Sequence, residues 1–108
     1  MNSRSAIIRL PVTGAAASVI ETDIVDAWGG YDEEHEEPYE TVIRLAWNGK
    51  SLAFTKEAAD QVRRALNDMS NRCDELSREP GVSAEERAVY RNASGAFSTL
   101  MQKAGRAG

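Results

Sequence analysis

The period of the hydrophobic pattern changes near Thr55, and this change constrains the fold more than any other feature of the sequence. Before it, the stretch "TVIRLAWNGKSLAFT" alternates apolar and polar residues, which is typical of strands with one buried face. After it, apolar residues recur at intervals of three and four, which is typical of amphipathic helices. The sequence therefore predicts an α+β protein, with a sheet in its first half and helices in its second half.

The Asn48-Gly49 pair predicts a β-hairpin over residues 41–55. This pair is a strong hairpin signal because a type I′ turn needs positive φ at both of its central residues. One face of the hairpin would then pack against the core. Its paired residues would be Ile43 with Phe54, Leu45 with Leu52, and Trp47 with Lys50.

Two upstream segments also have strand composition, namely "AIIRLPV" (6–12) and "SVIETDIV" (18–25). The small residues "TGAAA" between them would connect the two segments as a second hairpin. Ile20, Thr22 and Ile24 would share one face, with Glu21 and Asp23 in water. The predicted fold is thus an antiparallel sheet of three to four strands, arranged as two hairpins, over about residues 5–55.

Residues 56–104 predict an α-helical hairpin packed on this sheet, followed by a short flexible tail at 105–108. Thr55 is a suitable N-cap for the first helix, and Pro80-Gly81 ends it. Ser83 and Glu86 form a capping box that begins the second helix. The first helix carries a heptad-like apolar seam of Ala59, Val62, Leu66, Met69, Cys73 and Leu76.

The same seam leaves a coiled-coil homodimer as an alternative. Packing within the chain is favoured, because a second amphipathic helix follows at once. We therefore expect Trp47, Phe54, Leu66 and Phe97 in one core. A chain of 108 residues fits a single domain, 1–108.

Cysteine usage and hydropathy restrict the location of the protein. Cys73 is the only cysteine, so no disulfide can form within the chain, and a reducing cytoplasm is expected. Arg9 and Pro11 interrupt the first apolar stretch, which argues against a signal peptide. No run of about 18 apolar residues is present, which predicts that no segment spans a membrane.

The chain is acidic, with 13 Lys and Arg against 17 Asp and Glu and a net charge of −4. Negative charge disfavours binding to nucleic acid and to anionic membranes. Three Asp/Arg pairs on the first predicted helix have favourable i,i+4 spacing and predict a solvated, ion-paired face. They are Asp60 with Arg64, Asp68 with Arg72, and Asp74 with Arg78.

The acidic segment at residues 29–40, "GGYDEEHEEPYE", is the clearest candidate for a binding site. Pro38 argues against helix or strand there, so we expect an exposed, extended loop. Tyrosine is enriched in binding surfaces, although a merely solvated linker is the competing interpretation. The predicted partner-binding residues are Trp28, Tyr31, Asp32, Glu33, Glu34, Glu36, Glu37, Tyr39 and Glu40.

No catalytic motif is present, which argues against an enzyme. His35 is the only histidine, and neither the zinc nor the EF-hand ligand spacing occurs, so no metal or other cofactor is predicted. The sequence predicts a small acidic protein-interaction module, of inhibitor or adaptor type, that binds a basic protein surface through its acidic loop. Its size and charge are comparable, at the level of class only, to accessory proteins of bacteria and phages.

A regulatory protein that binds nucleic acid through the arginine-bearing helices is the alternative function. The preferred function predicts that replacing Glu33, Glu34, Glu36 and Glu37 by glutamine leaves the fold intact and weakens binding to a basic partner.

Overall fold

The computed structural model describes residues 6–26 and 37–107. Within these ranges the chain forms one sheet of two antiparallel strands together with four α-helices, so the predicted sheet of three to four strands is wrong. The elements in chain order are β1 (Ile7–Pro11), α1 (Gly14–Val19), a π-helix (Ile20–Asp26), α2 (Pro38–Ala46), β2 (Ser51–Thr55), a 3₁₀ turn (Lys56–Ala58), α3 (Ala59–Leu76) and α4 (Ala84–Ala107).

The predicted upstream hairpin is wrong in its second half, because residues 14–26 are helical. The first segment does form a strand, β1. Within residues 14–26 the buried residues are Ala16, Val19, Ile20 and Ile24, at spacings of three, one and four. This spacing places them on one helical face, and burial of that face overrides the strand composition.

The hairpin predicted at residues 41–55 is also wrong, because residues 38–46 form helix α2. A turn does lie where it was predicted, but it is not of type I′, because Gly49 has positive φ and Asn48 does not. Gly49 has a φ of 98°, and the Asn48 side-chain oxygen accepts hydrogen bonds from the backbone of Lys50 (2.9 Å) and Ser51 (2.8 Å). The turn therefore joins a helix to a strand. On that helix, the Leu45 side chain is 73% exposed instead of facing the core.

Strand β2 pairs with β1, which is distant in the sequence. Ile8 lies opposite Phe54 and Leu10 lies opposite Leu52. Leu10, Leu52 and Phe54 are buried, so this pair of strands contributes one face to the core. Helix α2 occupies the part of the sequence that the hairpin prediction had assigned to the partner strand.

The predicted helical hairpin is present as α3 and α4. The Thr55 hydroxyl accepts from the backbone of Ala58 (3.3 Å), and the Ser83 hydroxyl accepts from the backbone of Glu86 (3.1 Å). The helices are antiparallel and contact each other along most of their length, with the Ser70 hydroxyl donating to the Ser94 carbonyl (2.8 Å) midway.

The core lies between α3, α4, α1, α2 and the two strands. The α3 seam is buried within the chain, Leu76 only partly, so intrachain packing uses the surface that a coiled-coil dimer would need. Phe54, Leu66 and Phe97 are buried as predicted, whereas Trp47 is half-buried and its indole N–H donates to the Glu21 carboxylate. Among the described residues, no helix has the length and apolar character needed to cross a membrane.

Candidate functional site

Three of the nine predicted partner-binding residues, Glu37, Tyr39 and Glu40, lie at the beginning of α2. The expectation that Pro38 excludes helix is wrong, because Pro38 is the first helical residue, where its missing N–H costs nothing. The six others lie outside the described residues: Trp28, Tyr31, Asp32, Glu33, Glu34 and Glu36.

A reciprocal capping box fixes the first turn of α2. The Glu40 carboxylate accepts from the backbone N–H of Glu37 (3.0 Å), and the Glu37 carboxylate accepts from the backbone N–H of Glu40. Two carboxylates are thereby held at the positive end of the helix dipole, where negative charge stabilises the helix. Part of the acidic segment is therefore an ordered helix start rather than an extended loop.

This helix start borders a groove of about 710 Å³ that α1, the π-helix, α2, α3 and α4 enclose. Its buried lining is apolar and includes Val19, Ile24 and Met69. Its exposed lining is mostly charged and includes Glu37 and Glu75. The groove thus has an apolar floor and an acidic rim.

Negative charge predominates on the described lining of the groove. Arg72 is the one basic side chain among the described lining residues, and its guanidinium lies 3.8 Å from Glu75, too far for a hydrogen bond. Carboxylates come from three separate elements, so the charge is spread along the rim. The acidic residues of the described lining are Asp23, Glu37, Glu40 and Glu75.

Asp23 and Tyr90 connect two sides of the groove. The Tyr90 hydroxyl donates to Asp23 Oδ2 at 2.7 Å, which joins the π-helix to α4. The Thr22 hydroxyl donates to the Ser18 carbonyl (2.8 Å), and its oxygen lies 3.1 Å from Asp23 Oδ1. Burial, together with the hydrogen bond to Asp23, raises the pKa of Tyr90 to about 12.

Tyr39 contributes a second phenol to the groove, from α2. Burial raises its pKa to about 12, and the neighbouring Glu40 carboxylate adds to the shift. Two half-buried tyrosine side chains therefore line an acidic groove, a combination of large apolar surface and polar tips that is common in binding surfaces.

Sequence reasoning missed Asp23, Arg72, Glu75 and Tyr90 as members of this site. Asp23 was predicted to face water from a strand, and Arg72 was assigned to an ion-paired helix face. Glu75 and Tyr90 were not considered as site residues. A helical interpretation of residues 14–26 would have placed Ile20 and Ile24 together. No local signal, however, predicts that a π-helix brings Asp23 to Tyr90.

The groove does not gather ligands for a metal ion. Among residues 6–26 and 37–107, no three His, Cys, Asp or Glu side chains come close enough to hold one. Cys73 is fully buried outside the groove lining, and burial raises its pKa to about 12, so its thiol stays protonated near neutral pH.

The arginines of α3 are paired with acidic side chains of the same helix. Arg63 and Arg64 lie 2.8 and 2.9 Å from Asp60, and the hydrogen bond from Arg63 holds the Asp60 pKa below its ordinary value. The predicted pairs of Asp60 with Arg64 and Asp74 with Arg78 (3.3 Å) are confirmed. The predicted pair of Asp68 with Arg72 is replaced by the longer contact of Arg72 with Glu75.

Stability is expected to fall as the pH rises from about 9 to 12. Tyr39, Tyr90 and Cys73 all have folded-state pKa values of about 12, above their ordinary values of 10.0 and 9.0. Below those ordinary values both states keep the protons; above them the unfolded state loses protons first and is favoured. Urea unfolding at a series of pH values measures this decline.

The phenylalanine double variant Tyr39→Phe/Tyr90→Phe should flatten the alkaline decline, because it removes two of the three titrating groups. A decline as steep as that of the parent protein would show that other groups cause it.

No protein-family model matches this chain, and no match was found among curated proteins or solved structures. The groove itself is therefore the basis for assigning a function.

Proposed function

We propose that the protein is a small acidic interaction module, of inhibitor or adaptor type, that binds a basic surface of a partner protein. One observation supports this most directly: the first turn of α2 carries Glu37, Tyr39 and Glu40 to a groove that also contains Asp23 and Glu75. A partner would meet the described end of the acidic segment, residues 37–40, and the groove together. We place this interaction in the cytoplasm, on the evidence of the single cysteine.

The chemistry of the groove suits a cationic partner. Carboxylates on several elements raise the local concentration of basic groups and speed their association, especially at low ionic strength. The half-buried Tyr39 and Tyr90 offer rigid contact area. The π-helix at residues 20–26 adds support, because π-helical turns occur frequently at functional sites.

Binding of nucleic acid by the α3 arginines is the weaker candidate. Arg63 and Arg64 each contact Asp60 on the same helix, and Arg78, just beyond the end of α3, contacts Asp74. These pairs offset the positive charge that would attract phosphate groups. Oligonucleotides are therefore expected to bind more weakly than basic peptides.

Binding to an array of ten-residue peptides of net charge about +4 tests the proposal. The matched array carries citrulline or glutamine in place of each basic residue. We expect the full chain to bind the basic array and to lose most of that binding at ~0.3 M salt, because exposed charges are then screened. Binding to duplex or single-stranded oligonucleotides that exceeds peptide binding would contradict the proposal.

Of the four glutamates proposed for replacement by glutamine, Glu37 should be kept. Glu37 caps α2 at the positive end of the helix dipole, so removing its charge would weaken the start of the helix as well as the acidic surface. The triple variant Glu33→Gln/Glu34→Gln/Glu36→Gln removes three charges and keeps that cap. A control with the same charge change, Asp60→Asn/Glu79→Gln/Glu85→Gln, alters exposed residues outside the groove lining.

We expect the triple variant to slow association with the basic peptides, with little effect on thermal stability. The control should bind as the parent chain does. Equal loss in both variants would indicate a response to net charge alone and would contradict a localised binding surface.

A further inference from the structure

We infer that the groove accepts an arginine side chain from a basic segment of the partner, an inference that rests on the proposed function. The groove combines an apolar floor, two phenol rings and spaced carboxylates. Its volume of about 710 Å³ lies within the ~300–1,000 Å³ range of ligand sites. It therefore has room for a charged side chain together with adjoining backbone.

The apolar floor suits a long aliphatic stem. Val19, Ile24 and Met69 are each at most 3% exposed and line the groove. Arginine and lysine side chains both lay their methylene groups along such surfaces while the charged head stays near water. The floor thus explains why a basic side chain fits better than a small cation.

The two phenol rings favour arginine over lysine. Tyr39 comes from α2 and Tyr90 from α4, and both are half-buried. A planar guanidinium stacks on aromatic faces and is less strongly hydrated than an ammonium group, so it loses less hydration on entering such a site.

The spacing of the carboxylates also favours arginine over lysine. Asp23 lies on the π-helix, Glu40 on α2 and Glu75 on α3. Among the described residues these groups do not converge as metal ligands would. Five N–H donors arranged in a fork reach separated acceptors more readily than the compact head of a lysine.

Two of these carboxylates retain capacity to accept hydrogen bonds. Asp23 Oδ2 accepts one bond from Tyr90, and a carboxylate oxygen has two lone pairs. Glu75 lies 3.8 Å from the Arg72 guanidinium, beyond hydrogen-bond distance. An incoming guanidinium would therefore find acceptor capacity on both carboxylates that the described residues leave open.

Replacing Arg72 with a neutral residue should improve binding of an arginine peptide. The exposed Arg72 guanidinium lines the groove and repels a second cation there. Removing that charge should tighten binding of an arginine peptide by about threefold to tenfold, the effect of one nearby charge in a water-like medium. A merely misfolded variant would not gain affinity.

The probes are nine-residue Gly/Ser peptides with one central arginine, lysine or citrulline, titrated into the ¹⁵N-labelled full chain and followed by NMR. We expect saturable shifts around Asp23, Tyr39 and Tyr90 with the arginine peptide. The lysine peptide should bind at least about threefold more weakly, because it lacks the planar fork. The neutral citrulline peptide should cause no saturable shifts.

Each groove variant has a matched control on α3. Arg72→Gln should tighten arginine binding, whereas Arg64→Gln, an equal change of charge outside the groove lining, should not. Asp23→Asn should weaken binding, whereas Asp60→Asn should not. The amide oxygen that Asp23→Asn introduces can still accept the hydrogen bond from the Tyr90 hydroxyl, so the fold should be preserved.

Equal affinity for lysine and arginine would overturn the inference and leave the interaction module standing. The same holds if the basic array binds but no arginine peptide shifts the groove. Equal weakening by Asp23→Asn and Asp60→Asn would overturn the assignment to the groove. Failure of both the array and the peptides would overturn the proposed function as well.

Discussion

Replacing Phe97 by alanine is expected to lower the free energy of unfolding by roughly 3–5 kcal/mol. Phe97 is fully buried on α4, in the core that α3, α1 and the strands share. The loss combines the transfer free energy of the ring with the cavity that close-packed neighbours fill only partly. Urea unfolding monitored by circular dichroism measures it.

The matched control for Phe97 is Val89→Ala on the same helix. Val89 is 37% exposed, so its replacement should change stability by about 0.5 kcal/mol or less. If Phe97→Ala were as mild as Val89→Ala, α4 would not pack on the core as described.

Ile43 and Leu45 provide the second large expected effect, and they distinguish the helix from the hairpin. Ile43 is fully buried in α2, whereas Leu45 is 73% exposed. Ile43→Ala should cost roughly 2–5 kcal/mol, and Leu45→Ala should stay within about 0.5 kcal/mol. Two-state urea unfolding of both variants makes the comparison.

A hairpin at residues 41–55 would place both side chains on its core-facing side, since they are two residues apart. Both substitutions would then be costly. Comparable losses of several kcal/mol would therefore contradict α2 and restore the hairpin, whereas a loss confined to Ile43 would support the helix.

The candidate site was only partly predictable. Glu37, Tyr39 and Glu40 were singled out because charge and tyrosine content are visible in the sequence, and the structure places them on the groove. Asp23 and Tyr90 were not, because their contact joins residues 67 positions apart. A groove formed by five elements has no local signature.

The sequence by itself determined the features that depend on neighbouring residues. These include the Thr55 cap, the Ser83 and Glu86 capping box and the turn at Gly49, because each forms within a few residues. The apolar period of α3 and α4 was equally clear, since it is repeated over several turns.

Only the tertiary structure decided the conformation of residues 14–26 and 38–46 and the partner of β2. Short apolar runs fit a period of two or of 3.6, so local preference cannot choose between strand and helix. The helical conformation is favoured because it buries Ile20, Ile24 and Ile43 together against the core. The strand opposite β2 then had to come from β1, whose pairing depends on contacts distant in the sequence.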